Sequence, residues 1–173
     1  ALSFVDEKSF SCGNDVGNTV WYEVRGTLPA YVQLDTFGSN FDTVISVWDG
    51  DTLVGCNDDT GGQQSQLSFY REAYHTYLVG VGGYNSASGN LRLSGEYMTE
   101  FTIANGDSQM LGQAIETASA SGLQTTINLA SNGIYSVDTP VGFIYVAGFP
   151  LVSGDVRIIG NGATIQRSTV AGT

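Results

Sequence analysis

Carboxylate and amide side chains crowd two neighbouring turns on either side of the apolar run 44–48. They are Asp42, Asp49, Asp51, Asn57, Asp58 and Asp59. Hard cations such as Ca²⁺ take several oxygen ligands, so this set predicts a calcium site. The spacing is not that of the twelve-residue EF-hand loop, so the site would be irregular. Asp and Asn are also turn residues whose side chains bond their own backbone, and this structural interpretation stays open.

The two cysteines, Cys12 and Cys56, form the second group with defined chemistry. In an oxidising compartment they would form a disulfide that joins the N-terminal segment to the acidic loop. The chain-entropy model gives such a loop closure a stabilisation of roughly 4 kcal/mol. The alternative is a pair of buried free thiols.

Groups for catalysis are scarce, which predicts that the protein is not an enzyme. Nucleophilic triads and Cys/His sites need a histidine, and the sequence holds one, His75. One histidine and two cysteines do not supply a zinc site either. Asp58 and Asp59 are adjacent in one loop, and neighbouring carboxylates seldom lie on opposite sides of one sugar bond.

The charge balance excludes some partners. Six Lys+Arg against 17 Asp+Glu give a formal net charge of −11. Nucleic acid and anionic lipid surfaces would be repelled by this charge. No run reaches the roughly 20 apolar residues of a membrane helix. The sequence opens at Ala1 with no Met and no basic leader, which is typical of a secreted protein after processing and predicts an extracellular or cell-surface location.

Hydrophobic patterning predicts an all-β fold in two parts. Period-two alternation at 19–25, 31–35 and 91–95, with a further run at 76–81, indicates half-buried strands between glycine-rich turns. Seven or eight such strands fit an antiparallel sandwich over residues 1–98. We expect a linker at 99–104 and a second part at 105–173.

Four motifs in order give the first part a resemblance to a known family. They are Val20-Trp21-Tyr22-Glu23-Val24, Phe41-Asp42-Thr43-Val44, Cys56-Asn57-Asp58-Asp59 and Val81-Gly82-Gly83-Tyr84-Asn85. Residues 9–95 thereby resemble the bacterial pre-peptidase C-terminal (PPC) domain. This resemblance implies a jelly-roll-like β-sandwich appended to secreted proteins, often with calcium, with a role in targeting, adhesion or maturation.

The second part opens with a predicted amphipathic helix at 107–120, which begins with capping residues and has Gly122 as its stop signal. Strand-sized runs follow at 126–129, 133–137 and 156–159, and the last leads into Gly160-Asn161-Gly162-Ala163-Thr164-Ile165. Residues 105–168 resemble the start of a right-handed parallel β-helix of the polymorphic outer-membrane and cell-surface repeat type. The resemblance implies that the helix caps the first coil.

Two coils are few for such a fold, because each coil buries its apolar face only against its neighbours. An uncovered edge strand is a template for pairing, and a head-to-tail contact that does not close generates a filament. The candidate assembly residues are Ala1, Leu2, Ser3, Phe4 and Val5, as a donated strand, together with Ile158 and Ile165. The alternative for residues 1–5 is an ordinary first strand or a frayed terminus.

The sequence therefore predicts a secreted, non-enzymatic protein for extracellular attachment or assembly, built as a self-associating subunit of a cell-surface filament. Its expected partners are copies of itself, with glycans or extracellular proteins as further candidates through its many aromatic side chains. The alternative is a targeting or binding module, with Ca²⁺ as its one candidate cofactor, from a larger secreted hydrolase, lyase or adhesin. A calcium-gated monomer would lose stability on chelation.

Overall fold

The computed structural model describes residues 8–13, 15–137 and 150–167. The elements are β1 (Gly17–Arg25), β2 (Ala30–Asp35), β3 (Thr43–Asp49), β4 (Thr52–Asn57), β5 (Gln66–Arg71), β6 (Thr76–Gly83), a 3-10 turn (Tyr84–Ser86), β7 (Ser94–Tyr97), β8 (Glu100–Ile103), α1 (Ser108–Ser121), β9 (Thr125–Leu129), β10 (Ile134–Val137), β11 (Val156–Ile159) and β12 (Thr164–Arg167). The described chain is mostly β-sheet with one α-helix, in agreement with the predicted class. Within these residues, no helix is long and apolar enough to cross a membrane.

The chain divides into two compact units. The first unit comprises residues 1–27 and 32–96, and the second comprises residues 28–31 and 97–173. Residues 99–104, predicted as a linker, contain β8, which pairs in parallel with β9. Residues 28–31 belong to the second unit because the Tyr31 backbone N–H donates to Thr117 Oγ1 at 2.8 Å and the Tyr31 hydroxyl donates to Gln113 Oε1 at 2.9 Å.

The first unit is built on two sheets. One has the strand order β1-β6-β3-β4, with each neighbouring pair antiparallel, and the other has the order β5-β2-β7. Alternate residues of β2 are buried, as period-two patterning predicts. Side chains from both sheets form one hydrophobic core of Val32, Leu34, Ile45, Val47, Phe69, Tyr77, Val79 and Val81.

The strand β3 is buried on both of its faces, which explains why residues 44–48 are apolar apart from the buried Ser46. Its inner face supplies Ile45 and Val47 to the core. The N-terminal segment 8–13 packs on the other side of this sheet. There Phe10 contacts Trp21 with ring centroids 5.8 Å apart, and Lys8 Nζ lies 5.8 Å from the centre of the Trp48 ring.

The predicted strand at 91–95 is displaced to β7 (Ser94–Tyr97). At Arg92 the backbone N–H donates to Ser39 Oγ at 3.0 Å, and the Ser39 hydroxyl also bonds the Arg92 carbonyl oxygen. Leu91 and Leu93 still pack against the core, so the alternation in the sequence is real although the backbone there is not a strand.

The second unit is built from parallel strands that repeat along the chain. β9 pairs with β8 on one side and β11 on the other, and β10 pairs with β12. Its core joins these strands to α1 through Phe101, Ile103, Leu111, Ala114, Ile115, Ile127, Leu129 and Tyr135.

The helix α1 lies where the capping residues predict it. The Asp107 carboxylate accepts from the Met110 backbone N–H at 2.9 Å, which satisfies a free donor of the first turn. Gly122 ends the helix with φ 64°, a left-handed conformation that glycine adopts without strain.

Candidate functional site

Three carboxylates meet at one end of the hairpin formed by β3 and β4. In this antiparallel pair Ile45 lies opposite Asn57, so the residue before β3 and the residues after β4 come to the same end. Asp42, Asp58 and Asp59 each place a carboxylate oxygen so that these atoms all lie within 4.8 Å of one another. We call these three residues the acidic cluster.

The loop that carries Asp58 and Asp59 is fixed by its own hydrogen bonds. Asn57 Oδ1 accepts from Thr60 Oγ1 at 3.0 Å and from the Gln66 backbone N–H at 3.1 Å. The amide oxygen of Asn57 is thus engaged in shaping the loop. The carboxylates, rather than this amide, present oxygen atoms to the cluster.

A buried set of hydroxyl groups holds the loop that carries Asp58 and Asp59. Thr36 Oγ1 and Thr43 Oγ1 are 2.6 Å apart, and the Ser65 backbone N–H donates to Thr36 Oγ1 at 2.9 Å. The Ser65 hydroxyl lies against the carbonyl oxygens of Thr43 and Asp58. Sequence reasoning missed this network, because isolated Ser and Thr residues give no signal that separates a buried support from a surface turn.

The negative charges of the acidic cluster are poorly compensated by the described residues around them. Within the described part of the chain, Asp42 Oδ1 and Asp58 Oδ1 are buried and have no hydrogen-bond partner. Burial, and then the charge of Asp59, raise the pKa of Asp42 above its ordinary value. Burial raises the pKa of Asp58 as well, with further contributions from Asp59 and Asp42. Three close carboxylates, two of which have a buried oxygen without a partner in the described residues, are a donor set that suits a hard divalent cation.

The structure places Asp49 and Asp51 at the other end of the same hairpin. The six residue steps along β3 from Thr43 to Asp49 span about 20 Å. Asp49 Oδ2 lies 2.8 Å from His75 Nδ1, and Asp51 pairs with Lys8. The six predicted ligands are therefore divided between two places, and three of them share the acidic cluster.

The Cys12 and Cys56 sulfur atoms are bonded, and the two Cα atoms are 5.9 Å apart. The predicted disulfide is thereby confirmed. Cys56 lies in β4 directly before Asn57, so the bond fastens segment 8–13 to the strand that leads into the acidic loop.

A second candidate site lies in the second unit, where apolar columns run through successive parallel strands. Register places Phe101 beside Ile127 and Ile127 beside Ile158, and it places Tyr135 beside Ile165. Phe101, Ile127 and Tyr135 are at most 1% exposed, whereas Ile158 is 39% and Ile165 is 50% exposed. We call β11 and β12, with these two isoleucines, the coil edge.

Within the described residues, β11 and β12 each form an outer strand of their sheets. The predicted assembly residues Ile158 and Ile165 both lie on this coil edge. The other predicted assembly residues, 1–5, lie outside the described residues.

Comparison of the sequence with family models gives no match, and comparisons with curated proteins and with solved structures also give none.

Proposed function

We propose that this chain is a secreted, non-enzymatic protein for extracellular attachment or assembly, which self-associates as a subunit of a cell-surface filament. The observation that carries this proposal is the exposure of Ile158 and Ile165 at positions whose neighbours in register are buried. Burial of apolar area is the main favourable term in most protein association. The disulfide is compatible with an oxidising, extracellular setting.

The fold proposals made from the resemblances belong with this function. Two sheets that share one core support a jelly-roll-like sandwich of the PPC type for the first unit. In the second unit, parallel partners lie 30 or 31 residues apart in the pairs β10–β12 and β9–β11. This repeat, together with α1 packed against the first strands, supports the start of a parallel β-helix.

Self-association is tested by sedimentation velocity and electron microscopy of the native protein over a range of concentrations, at neutral pH without denaturant. We expect assemblies that dissociate in the variant Ile158→Lys, because a charge on an apolar edge opposes pairing. The matched control is Val54→Lys, since Val54 in the first unit has the same 39% exposure as Ile158. A wild-type protein that stays monomeric at all concentrations would refute the proposal.

The acidic cluster favours a second candidate, a calcium-dependent targeting or binding module for a glycan or protein ligand, from a larger secreted hydrolase, lyase or adhesin. The supporting observation is the pair of buried carboxylate oxygens of Asp42 and Asp58 that lack a hydrogen-bond partner within the described residues. A bound cation would neutralise the repulsion among the three carboxylates.

Isothermal titration with Ca²⁺ tests this candidate, with Mg²⁺ as the comparison cation. We expect one site per chain and a stabilisation of about 2.7 kcal/mol when free Ca²⁺ exceeds the dissociation constant a hundredfold. Asp58→Asn should abolish binding, whereas Asp155→Asn, at an exposed carboxylate of the second unit, should leave it unchanged. Absence of binding heat and of any stabilisation by millimolar Ca²⁺ would exclude the site.

A further inference from the structure

The N-terminal segment 8–13 lies across the outer face of the sheet formed by β1, β6, β3 and β4, and we call this segment the strap. Its even-numbered residues are half-buried, whereas Ser9 and Ser11 between them are exposed. The strap is therefore extended, with alternate side chains turned toward the sheet. The described strands do not include it, so side-chain contacts and one covalent bond hold it in place.

The strap contacts both tryptophans of the sequence. Its Phe10 ring packs on Trp21 of β1, and its Lys8 Nζ lies 5.8 Å from the centre of the Trp48 ring of β3. Register places Trp21 beside Gly80. A Cβ atom at position 80 would lie 2.7 Å from the Trp21 ring and 3.0 Å from Phe10 Cζ, so glycine leaves room for both rings against the sheet. The strap thus covers an aromatic surface.

The covered arrangement leaves one polar group of this surface unsatisfied. Within the described part of the chain, Trp21 Nε1 is buried and has no hydrogen-bond partner, whereas Trp48 Nε1 donates to Ser46 Oγ at 3.3 Å. A buried donor without an acceptor destabilises the arrangement that buries it, and contact with water removes that cost. Opening of the strap therefore gains back part of the contact energy that it loses.

The two ends of the strap are held by bonds of very different strength. At one end Lys8 pairs with Asp51, whose side chain is 99% exposed, and exposed ion pairs are weak. At the other end Cys12 is covalently bonded to Cys56 of β4, and the Cys12 backbone N–H donates to Cys56 Sγ at 3.3 Å. Phe10 is two residues from Cys12, so the disulfide keeps its ring at a high effective concentration beside the sheet.

We propose that the Cys12–Cys56 disulfide is a redox lock on the strap, and that its reduction by a dithiol uncovers Trp21 and Trp48 while the first unit stays folded. One thiolate of the dithiol attacks a sulfur of the bond, and its second thiolate then displaces the resulting mixed disulfide. The dithiol is oxidised to a disulfide, and Cys12 and Cys56 are reduced to thiols. The hydrophobic core of the first unit contains no residue of the strap, so its packing does not depend on the strap's position. Neither the coil edge nor the acidic cluster takes part, so the lock is independent of both proposed functions.

A lysine-specific protease measures the lock in the native protein, because Lys8 is the single lysine of the sequence. In the oxidised protein the Lys8 side chain is 19% exposed, and we expect slow cleavage after it. Reduction with dithiothreitol, verified by titration of both cysteine thiols, should accelerate this cleavage about tenfold, since cleavage follows the population of the open strap. Acrylamide quenching of tryptophan fluorescence should rise as well. Cys12→Ser combined with Cys56→Ser should show both changes without reductant.

A second variant separates the cover from the lock. Phe10→Ser with the disulfide intact should raise the quenching of Trp21 fluorescence, whereas Ser9→Ala, at the exposed neighbour, should leave it unchanged. Hydrogen exchange of the β3 and β6 amides reports whether the sheet stays folded. Unchanged cleavage and quenching after complete reduction would overturn the inference. Loss of amide protection throughout β3 and β6 on reduction would also overturn it, because the disulfide would then hold the whole unit together. Reduction of the wild-type protein decides between these results even where the double serine variant does not fold.

Discussion

The acidic cluster and the coil edge are both places where the described chain leaves groups unsatisfied, but the deficits differ in kind. In the acidic cluster, one buried oxygen each of Asp42 and Asp58 lacks a hydrogen-bond donor among the described residues. In the coil edge, Ile158 and Ile165 are only partly covered, at 39% and 50% exposure. A surplus of charge can be relieved by a single proton or cation, whereas exposed apolar area is relieved only by a surface of comparable size. The first site should therefore respond to pH and ions, and the second to protein concentration.

The largest expected effect is the difference in lost stability between alanine variants of two isoleucines in one column. Ile127→Ala removes a side chain that is 0% exposed and should destabilise the protein by about 2–5 kcal/mol. Ile158→Ala removes its half-covered neighbour in register and should cost less than about 1.5 kcal/mol in the monomer. Urea unfolding at low protein concentration measures both. Equal losses would mean that the coil edge is already covered in the monomer.

The N-terminal cap of α1 gives the next largest expected effect. Asp107→Ala removes the carboxylate that caps α1 and should cost about 1 kcal/mol. Asp155→Ala is the matched control, because the Asp155 carboxylate, just before β11, accepts an exposed hydrogen bond from Gln124 Nε2 at 3.2 Å. Thermal unfolding compares the two. A loss for Asp155→Ala as large as that for Asp107→Ala would contradict the assignment of the cap as the stronger contact.

Local patterns in the sequence predict most elements of the second unit. The spacing of apolar residues between Asp107 and Gly122 defines α1 because capping and helical periodicity act within a few residues. The strands β9, β10 and β11 follow from short β-branched runs between turn residues. Exposure does not follow in the same way, since Ile127 and Ile158 have the same residue type and differ only in what stacks on them.

The sequence predicted only part of the acidic cluster, because the register of β3 against β4 decides which acidic residues meet. Asp49 and Asp51 are closer in sequence to Asn57 than Asp42 is, yet the antiparallel pairing of β3 with β4 brings Asp42 to the loop that follows Asn57. Sequence distance cannot show which end of a hairpin a turn residue occupies until the strand limits are known. The assignment of residues 28–31 to the second unit also depends on contacts distant in sequence. Tyr31 continues the alternation of β2, so nothing in the local sequence separates it from the first unit.

The smallest effect probes the acidic cluster through pH. The folded-state pKa of Asp58 is raised above its ordinary value of 3.8, so the folded chain binds this proton more tightly than the unfolded chain. Ionised Asp58 therefore destabilises the fold above the folded-state pKa, and this penalty disappears as the pH falls through that pKa toward 3.8. In a chelator at pH 7, Asp58→Asn should stabilise the protein by about 0.5 kcal/mol, the size expected for a partly exposed charge interaction.

Melting curves with pH as the variable measure this difference, with Asp155→Asn as the control outside the cluster. The gain from Asp58→Asn should shrink as the pH falls through the raised pKa of the wild-type carboxyl group toward 3.8. Added Ca²⁺ should reverse the order at pH 7, because the cation stabilises only the protein that keeps its ligand. If Asp58→Asn were less stable than wild type in chelator at neutral pH, the Asp58 carboxylate would have a favourable partner. That result would contradict the description of the acidic cluster as unsatisfied.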